Sequence, residues 1–526
     1  MLKMKKTLGL CLVILIVISM SACGQSQAPA AANTTGAATS AAATTEQAQT
    51  TQTTQTTAPQ PEIFTITIFN RVNAEVGFEN NPIIEEIEKR TDTKIIYDAP
   101  PINNFAERLT LLMASGDLPD LIYNWGFDQN YEKWAAEGLF IPLDGLVDAY
   151  PNIMKNVTKE MFDSARVPAT GKFHIVPRPN RVNHWGYVVN EDWLEKFGMD
   201  PPQTLDEYRA VCEAFTNGDP TGTGQVTAAF SPDKGIRDEL YLRSAFDWYA
   251  TTGYPDTDGN FYIAEKQSGY MPYLLFLREA YEKKWLDQEY FTNKMYADGE
   301  LFKQNRIGFQ DGHETGAGSN DGEKLLNASF NAPLMNENGE RFNPYGPPTW
   351  GGWAISNNCK DVPRVLEFVD YGHSVEGAEL YILGIKGIHF DEFDFPTRKL
   401  VRTQEQMLEL AKWTSSYCSM SFAFEGDHLV PEVPEIPGAL EKFQREVAAY
   451  REKTVDVPLP VIKVPMLTQV NEDNPDLSTK ITEMETKFIV GDIDEESFRA
   501  FLDNEFFPKY EEAEKEMQDL VRQVIG

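Results

Sequence analysis

Two hydrophobic periods alternate from Ile63 onward. Ile63, Ile66, Ile68 and Phe69 fall in a β-branched run after Pro61, which predicts a buried strand. Asn81 and Pro82 read as an N-cap and a first helical position, with Ile83, Ile84 and Ile87 on one helical face until Thr91. Lys94 to Tyr97 is a second strand. Phe105, Leu109, Leu112 and Met113 mark a helical face stopped by Gly116, and Leu121 to Tyr123 is a third strand. Strands and helices in this alternation predict a parallel, doubly wound sheet. Ligands of such sheets bind beyond the carboxyl ends of the strands, where loops are free and helix N-termini point their amides outward. Those loops begin at Asn70, Pro100 and Asn124. The first carries Asn70, Arg71, Asn73 and Glu75, the second Asn103 and Asn104, the third Asn124 and Trp125. Amides, a guanidinium and an indole suit the hydroxyls and the apolar face of a sugar ring. Capping is the competing role for each Asn, and the better one for Asn103 and Asn104.

The first residues follow a different pattern. Lys3, Lys5 and Lys6 precede an unbroken apolar run from Leu8 to Met20, the layout of an export signal over residues 1–22. The run is too short for a permanent membrane-spanning helix. Met20, Ser21 and Ala22 before Cys23 resemble the lipobox of bacterial lipoproteins, which implies cleavage before Cys23, acylation of its thiol and a protein held by lipid on the outer face of the membrane of a Gram-positive bacterium. Residues 23–61 are Ala, Thr, Gln, Ser and Pro with almost no charge and no large apolar side chain. Such a stretch cannot offset the entropy of ordering, and it reads as a disordered tether.

The remaining body is too long for one typical domain, and two domains sharing an interface are expected. The chain carries a formal charge of -33, and loss of the three signal lysines makes it more negative still. Nucleic acid and anionic lipid are excluded as partners of such a surface. Of the five cysteines, Cys212, Cys359 and Cys418 belong to the body. Their odd number and irregular spacing argue against a disulfide framework or zinc site and for buried structural thiols.

Several segments resemble, in order, the extracellular solute-binding proteins of family 1, in particular their LplA-like lipoprotein branch serving sugar transporters. Ala114-Ser115-Gly116-Asp117-Leu118-Pro119-Asp120-Leu121 is similar to the family's helix-to-strand turn. Glu137 to Leu143, Gly171 to Arg178 and Val189 to Leu194 with Phe197-Gly198 and Pro202-Gln203-Thr204 continue the series. Tyr281 to Asp287, Gly308-Phe309, Gly351 to Ser356 and Val375-Glu376-Gly377 complete it. The resemblance implies a type II periplasmic-binding-protein-like α/β fold: two doubly wound lobes joined by a hinge of crossing strands and closing over a ligand. It places residues 62–183 and 346–385 in lobe 1 and residues 184–345 and 386–526 in lobe 2. It further implies a monomer that carries an oligosaccharide to the permease of an ABC transporter and performs no chemistry on it. The chain has no Gly-x-Ser-x-Gly elbow, His-Glu-x-x-His helix or P-loop. An exported polysaccharide-degrading enzyme and a peptide binder of the same fold are the rivals.

Many relatives carry an acid-rich loop suited to calcium where this chain reads Asp219-Pro220-Thr221-Gly222-Thr223-Gly224-Gln225. With Thr221 and Thr223 as hydroxyls and Thr227 in place of a closing acid, a Gly-rich turn is expected over a calcium site, and no cofactor is expected. Asp256 to Asn260 fits a hairpin turn.

The remaining candidate contacts sit near the expected crossings. Trp185 and Tyr187 follow the first one, where an indole is either a stacking platform or a wedge between lobes. Asp247 and Trp248 adjoin aromatics, as in a carbohydrate subsite or a helical core face. Trp350, between Pro347-Pro348 and Gly351-Gly352 at the second crossing, favours a ligand role, whereas Trp353 reads as structural. Arg178, Arg181 and Arg243 match a carboxylate on an acidic sugar or an interlobe ion pair. Trp134, Trp193 and Trp285 fall at core spacing on amphipathic helices.

Overall fold

The computed structural model describes residues 63–72, 78–125, 129–179, 185–232, 235–237, 239–248, 254–255, 261–294, 297–313, 327–345, 349–396, 399–414, 431–432, 434, 437–458 and 465–525. The expected signal, Cys23, the tether, Glu75, Arg181, Cys418 and the 256–260 turn lie outside them. The chain flanking that turn pairs antiparallel, Tyr254–Pro255 with Phe261–Tyr262.

The first five elements form where the pattern places them: β1 (Phe64–Phe69), α1 (Pro82–Thr91), β2 (Thr93–Asp98), α2 (Ile102–Ser115) and β3 (Leu121–Asn124). Asn81 caps α1, its Oδ1 accepting from the backbone N–H of Ile83 at 3.0 Å and Ile84 at 3.3 Å. Gly116 ends α2 in the left-handed conformation at φ 71°. Further along lie β4 (Ile175–Pro179), β5 (Trp185–Asn190), α3 (Glu191–Phe197), α4 (Leu205–Asn217), α5 (Tyr270–Glu282), β6 (Phe309–His313), β7 (Ala328–Asn331) and β8 (Thr349–Ile355). After them come α6 (Val362–Gly372), α7 (Ala439–Lys453) and α8 (Leu477–Val490).

The first sheet has the order β2-β1-β3-β8-β4. β1 runs parallel to β2 and β3, and the returning β8 runs antiparallel to β3 and β4. Its core joins Ile66, Leu121, Ile122, Val176, Ala354 and Ile355 to Ile83 and Ile87 of α1, Phe105 and Leu109 of α2 and Val365 and Val369 of α6. Helices therefore cover both faces at the sheet's centre, where β3 is buried throughout, whereas β1 and β2 toward the edge keep exposed positions.

A second core gathers Tyr187 and Val189 of β5 with residues of α3, α4, α5 and β6, and then Phe488, Phe498 and Phe501 from the C-terminal part. The fold is thus two-lobed and mixed α/β. The second lobe departs from the expected doubly wound sheet, since its sheet β6-β5-β7 is antiparallel throughout. A buried apolar strand such as β5 looks the same in sequence whichever way its neighbours run.

Residues 386–414 also correct the expected boundary. Leu410 belongs to the first core, Ile385 and Trp413 pack against it, and the Asn81 side-chain amide donates to the Trp413 carbonyl at 2.9 Å. The segment thus stays with lobe 1. The apolar face of Met407 and Leu410 called for a partner without naming which. Among the described residues after 414, α7 packs on the second lobe, where the Tyr450 ring stacks on Phe330 of β7 at 5.3 Å.

Candidate functional site

The carboxyl ends of β1 and β3 bring Asn70, Arg71 and Trp125 together. Asn70 is fully buried, and its Oδ1 accepts from the Arg71 backbone N–H at 2.8 Å and from the Trp125 indole N–H at 3.2 Å. A buried amide oxygen thereby fixes the rotation of a half-buried indole. The Arg71 guanidinium lies over that indole at 3.5 Å from the ring centroid. From below, Tyr123 meets Trp125 edge-on at 4.6 Å and Trp353 at 4.8 Å. Trp353 is completely buried, as expected for a packing residue. Trp125 is therefore set on an aromatic base with its polar edge satisfied, which leaves it preorganised.

β8 brings the second crossing to the same place. Gly352 pairs with Asn124 on one side and Pro177 on the other, and the register of β8 against β4 shifts between Thr349 and Gly352. In this irregularity Gly351 takes φ 68°, and a Cβ there would stand 2.0 Å from the Asn124 carbonyl oxygen and 3.0 Å from the Trp125 Cα. Only glycine tolerates both demands, and a bulge of this kind redirects the residues beside it. Trp350 is the residue before Gly351, so its backbone lies at the end of β3; its side chain is outside the description. Arg178 follows Pro177 on β4 and is partly exposed at the same end of the sheet. The pairing order thus collects Asn70, Trp125, Trp350 and Arg178 along one edge.

Trp185 opens β5 just after the first crossing and is partly exposed. Its backbone N–H donates to Asn343 Oδ1 at 3.1 Å, and its carbonyl accepts from Tyr450 Oη at 2.8 Å. The start of β5 is thus fastened by Asn343 and by Tyr450 of α7. Asn343 and Tyr450 are positioning residues that carried no local signal, being 158 and 265 residues distant.

Four other candidates are corrected. Tyr187 is fully buried with its hydroxyl donating to the Pro202 carbonyl at 2.5 Å, and burial pushes its phenol well above the ordinary range. Trp248 is fully buried, its N–H donating to the Ala264 carbonyl at 3.0 Å. Asp247 turns at φ 55° and its Oδ1 accepts from Asn336 Nδ2 at 2.7 Å, which fastens one loop to another. Arg243 is fully buried over Trp248 at 4.2 Å and donates to the Arg237 carbonyl at 2.6 Å. These side chains meet the second core and its turns. Aromatic and acidic neighbours in sequence served packing because the segment enters the lobe interior and ends at no strand edge.

Trp193 and Trp285 are buried, and Trp134 packs against the first core. Cys212 is buried in the second core, where burial pushes its thiol up, and Cys359 packs against the first. Both are free thiols. Asp219, Thr221 and Thr223 lie in a turn after α4 and bond to one another. Among the described residues no helix is long and apolar enough to cross a membrane.

Two α/β lobes, with an indole and an amide held at one sheet's carboxyl edge, are the architecture of a two-lobed solute-binding protein. The chain belongs to the bacterial extracellular solute-binding protein family, whose model matches residues 76–379. It is 31% identical over 232 residues to the fructooligosaccharide ABC transporter substrate-binding protein FusA of Streptococcus pneumoniae, a match spanning 40% of this chain and 42% of that relative. The chain thus matches less than half the length of FusA. Over a longer stretch, 79% of this chain and 83% of the relative, it is 23% identical to the polygalacturonan/rhamnogalacturonan-binding protein YtcQ of Bacillus subtilis. Among solved structures, the alginate-binding protein AlgQ2 without calcium ion superposes with a TM-score of 0.68 at 21% identity, covering 88% of this chain and 99% of that one. An EF-hand mutant of FusA in complex with fructo-nystose gives 0.64 at 21% identity, covering 87% and 97%. At these identities the structural likeness is one of fold.

Proposed function

We propose that the protein is a lipid-anchored extracellular substrate-binding protein of an ABC transporter, which captures an oligosaccharide between its lobes and delivers it unaltered to the permease. The observation that carries this reading is Trp125, partly exposed at the sheet edge with its N–H held by buried Asn70. An indole so held offers a sugar ring an apolar face at little entropic cost, while the partly exposed Arg71 and Arg178 supply polar groups for hydroxyls or carboxylates; Asn70, expected to touch the ligand itself, is fully buried and serves by positioning Trp125. Trp185, partly exposed at the start of β5, is the indole that lobe closure would bring onto the ligand from the second lobe. Capture is then a population shift toward the closed form that the permease recognises. Family membership supports it, as do relatives named for fructooligosaccharide, polygalacturonan and multiple-sugar binding. Acylated Cys23 and the 23–61 tether hold a monomeric body outside the cell near its transporter; a Cys23→Ala variant would appear in the medium and take up no labelled fatty acid.

Thermal unfolding of the purified protein with neutral and uronic-acid oligosaccharides and with peptides tests the assignment, since a ligand of the native state raises its melting temperature with concentration. Stabilisation by one oligosaccharide class with intact sugar recovered is expected. Stabilisation by peptides alone removes the sugar from the reading, and cleaved sugar makes the protein an enzyme.

A further inference from the structure

The turn after α4 holds the residues weighed above as a calcium loop, and its donors do not fit that ion. That ion takes 6–8 oxygens, several from carboxylates. Here Asp219 is the one carboxylate of residues 219–225. Its Oδ1 is taken up by the Gly224 backbone N–H at 3.1 Å and the Thr221 hydroxyl at 3.2 Å. The Thr221 and Thr223 hydroxyls share a hydrogen bond at 2.7 Å, and they accept from the backbone N–H of Thr223 and Gln225 at 3.3 Å each. The side-chain oxygens are therefore turned onto the loop's own donors. Among the described residues no three His, Cys, Asp or Glu side chains converge as metal ligands.

A cation is nonetheless present. Lys196, in the last turn of α3, donates from Nζ to the carbonyl oxygen of Asp219 and to that of Pro220 at 3.3 Å. The same nitrogen lies 3.6 Å from the point where a Cβ on Gly222 would stand. Gly222 takes φ 69° at no cost as a glycine, whereas Asp219 holds φ 49° with a side chain, a backbone conformation that needs support from its neighbours. The charges also match. One carboxylate is balanced by one ammonium, whereas a divalent ion would bring one positive charge too many. Attraction from Lys196 adds to the Gly224 N–H in holding the Asp219 carboxyl below its ordinary range.

We infer that the Lys196 ammonium is the resident cation of the 219–224 turn, holding it closed in place of a metal, so that this protein's stability and ligand capture are independent of calcium. This inference does not rest on the identity of the ligand.

Melting of the full protein in chelator and in millimolar calcium chloride is the first readout, and no change is expected. Lys196→Met keeps the helix-forming stem and removes the charge. It is expected to lower the melting temperature by about 2 °C, with or without calcium. The Gly222 and Gly224 amides should exchange with deuterium several-fold faster, because the turn that protects them opens. Saturable stabilisation of the unmutated protein by calcium would overturn the inference. So would a Lys196→Met protein whose melting temperature and amide exchange at both glycines equal those of the parent.

Discussion

Trp125 and Trp248 are built from the same parts. Each indole N–H has an acceptor, each ring has at least one tyrosine against it, and each carries an arginine over its face, Arg71 at 3.5 Å and Arg243 at 4.2 Å. They differ in what lies beyond. Trp125 follows a parallel strand and stops at the sheet edge, where solvent or ligand takes its remaining surface. Trp248 enters the second core between Tyr270 and Tyr273, both with ring centroids at 5.2 Å, and has no exposed surface. The acceptor differs too. A buried side chain, Asn70, orients the edge indole, whereas a backbone carbonyl suffices for the core one. Local chemistry therefore identifies a well-supported tryptophan, and only its position in the topology says whether it is available to a ligand.

Replacing each tryptophan separates the two roles. Trp248→Ala should cost roughly 3–5 kcal/mol of stability, the ordinary cost of emptying a buried aromatic site, and leave the affinity of the folded fraction unchanged. Trp125→Ala should weaken oligosaccharide binding by about 2 kcal/mol, near 30-fold, while the melting temperature stays close to the parent's. Calorimetric titration beside a denaturant curve reads both quantities. A Trp125 variant that loses stability but not affinity would place that indole with the core, and the comparison would collapse.

The legibility of the chain follows the same division. α1 was readable because its start is chemical: Asn81 accepts two backbone N–H groups and Pro82 needs none. α2 ends at Gly116 for an equally local reason. With the three strands that flank and separate them, these elements disclosed the sheet edge and hence Asn70 and Trp125. What failed was long-range. The antiparallel run of β6 and β7 beside β5, the return of residues 386–414 to the first lobe, and the clamping of Trp185 by Asn343 and Tyr450 all join segments far apart in sequence. No spacing encodes such partners, and hydrophobic periodicity reports that a face is buried without reporting against what. Asp247 and Trp248 were misread for that reason.

Partly buried polar groups of the second lobe sharpen the contrast with the solvent edge of the first. Glu446 of α7 accepts from the Phe330 backbone N–H at 3.1 Å and lies 4.0 Å from Lys442 Nζ, which is also bound to Glu191 and the Ala328 carbonyl. Burial pushes its carboxyl up to about 7; Glu191 adds to the rise, while the Phe330 N–H, Lys442 and Arg445 oppose it. A carboxyl whose folded pKa exceeds the unfolded one favours the fold when protonated. Its contribution is complete below the ordinary carboxylate range and is lost as pH rises through about 7. Glu446→Gln should flatten the fall in stability between pH 5 and 8 by roughly 1–3 kcal/mol relative to the parent. Identical pH profiles for the two proteins would show that the carboxyl is solvated like an edge residue.

Tyr187 gives the smallest effect and the finest discrimination. It stands two residues after Trp185 on β5, so a strand projecting both side chains toward a ligand would use its hydroxyl for a sugar. In the structure that hydroxyl bonds the Pro202 carbonyl just before α4, and the ring packs against Tyr241 and Phe309 at 5.3 and 5.8 Å. Tyr187→Phe keeps the ring and leaves the carbonyl without that donor, which should cost about 1 kcal/mol of stability. Ligand affinity should not move, because no path leads from this hydroxyl to the sheet edge. A variant with parental stability and a tenfold weaker affinity would instead place the hydroxyl on the ligand, and the second lobe would then expose its polar groups as the first one does.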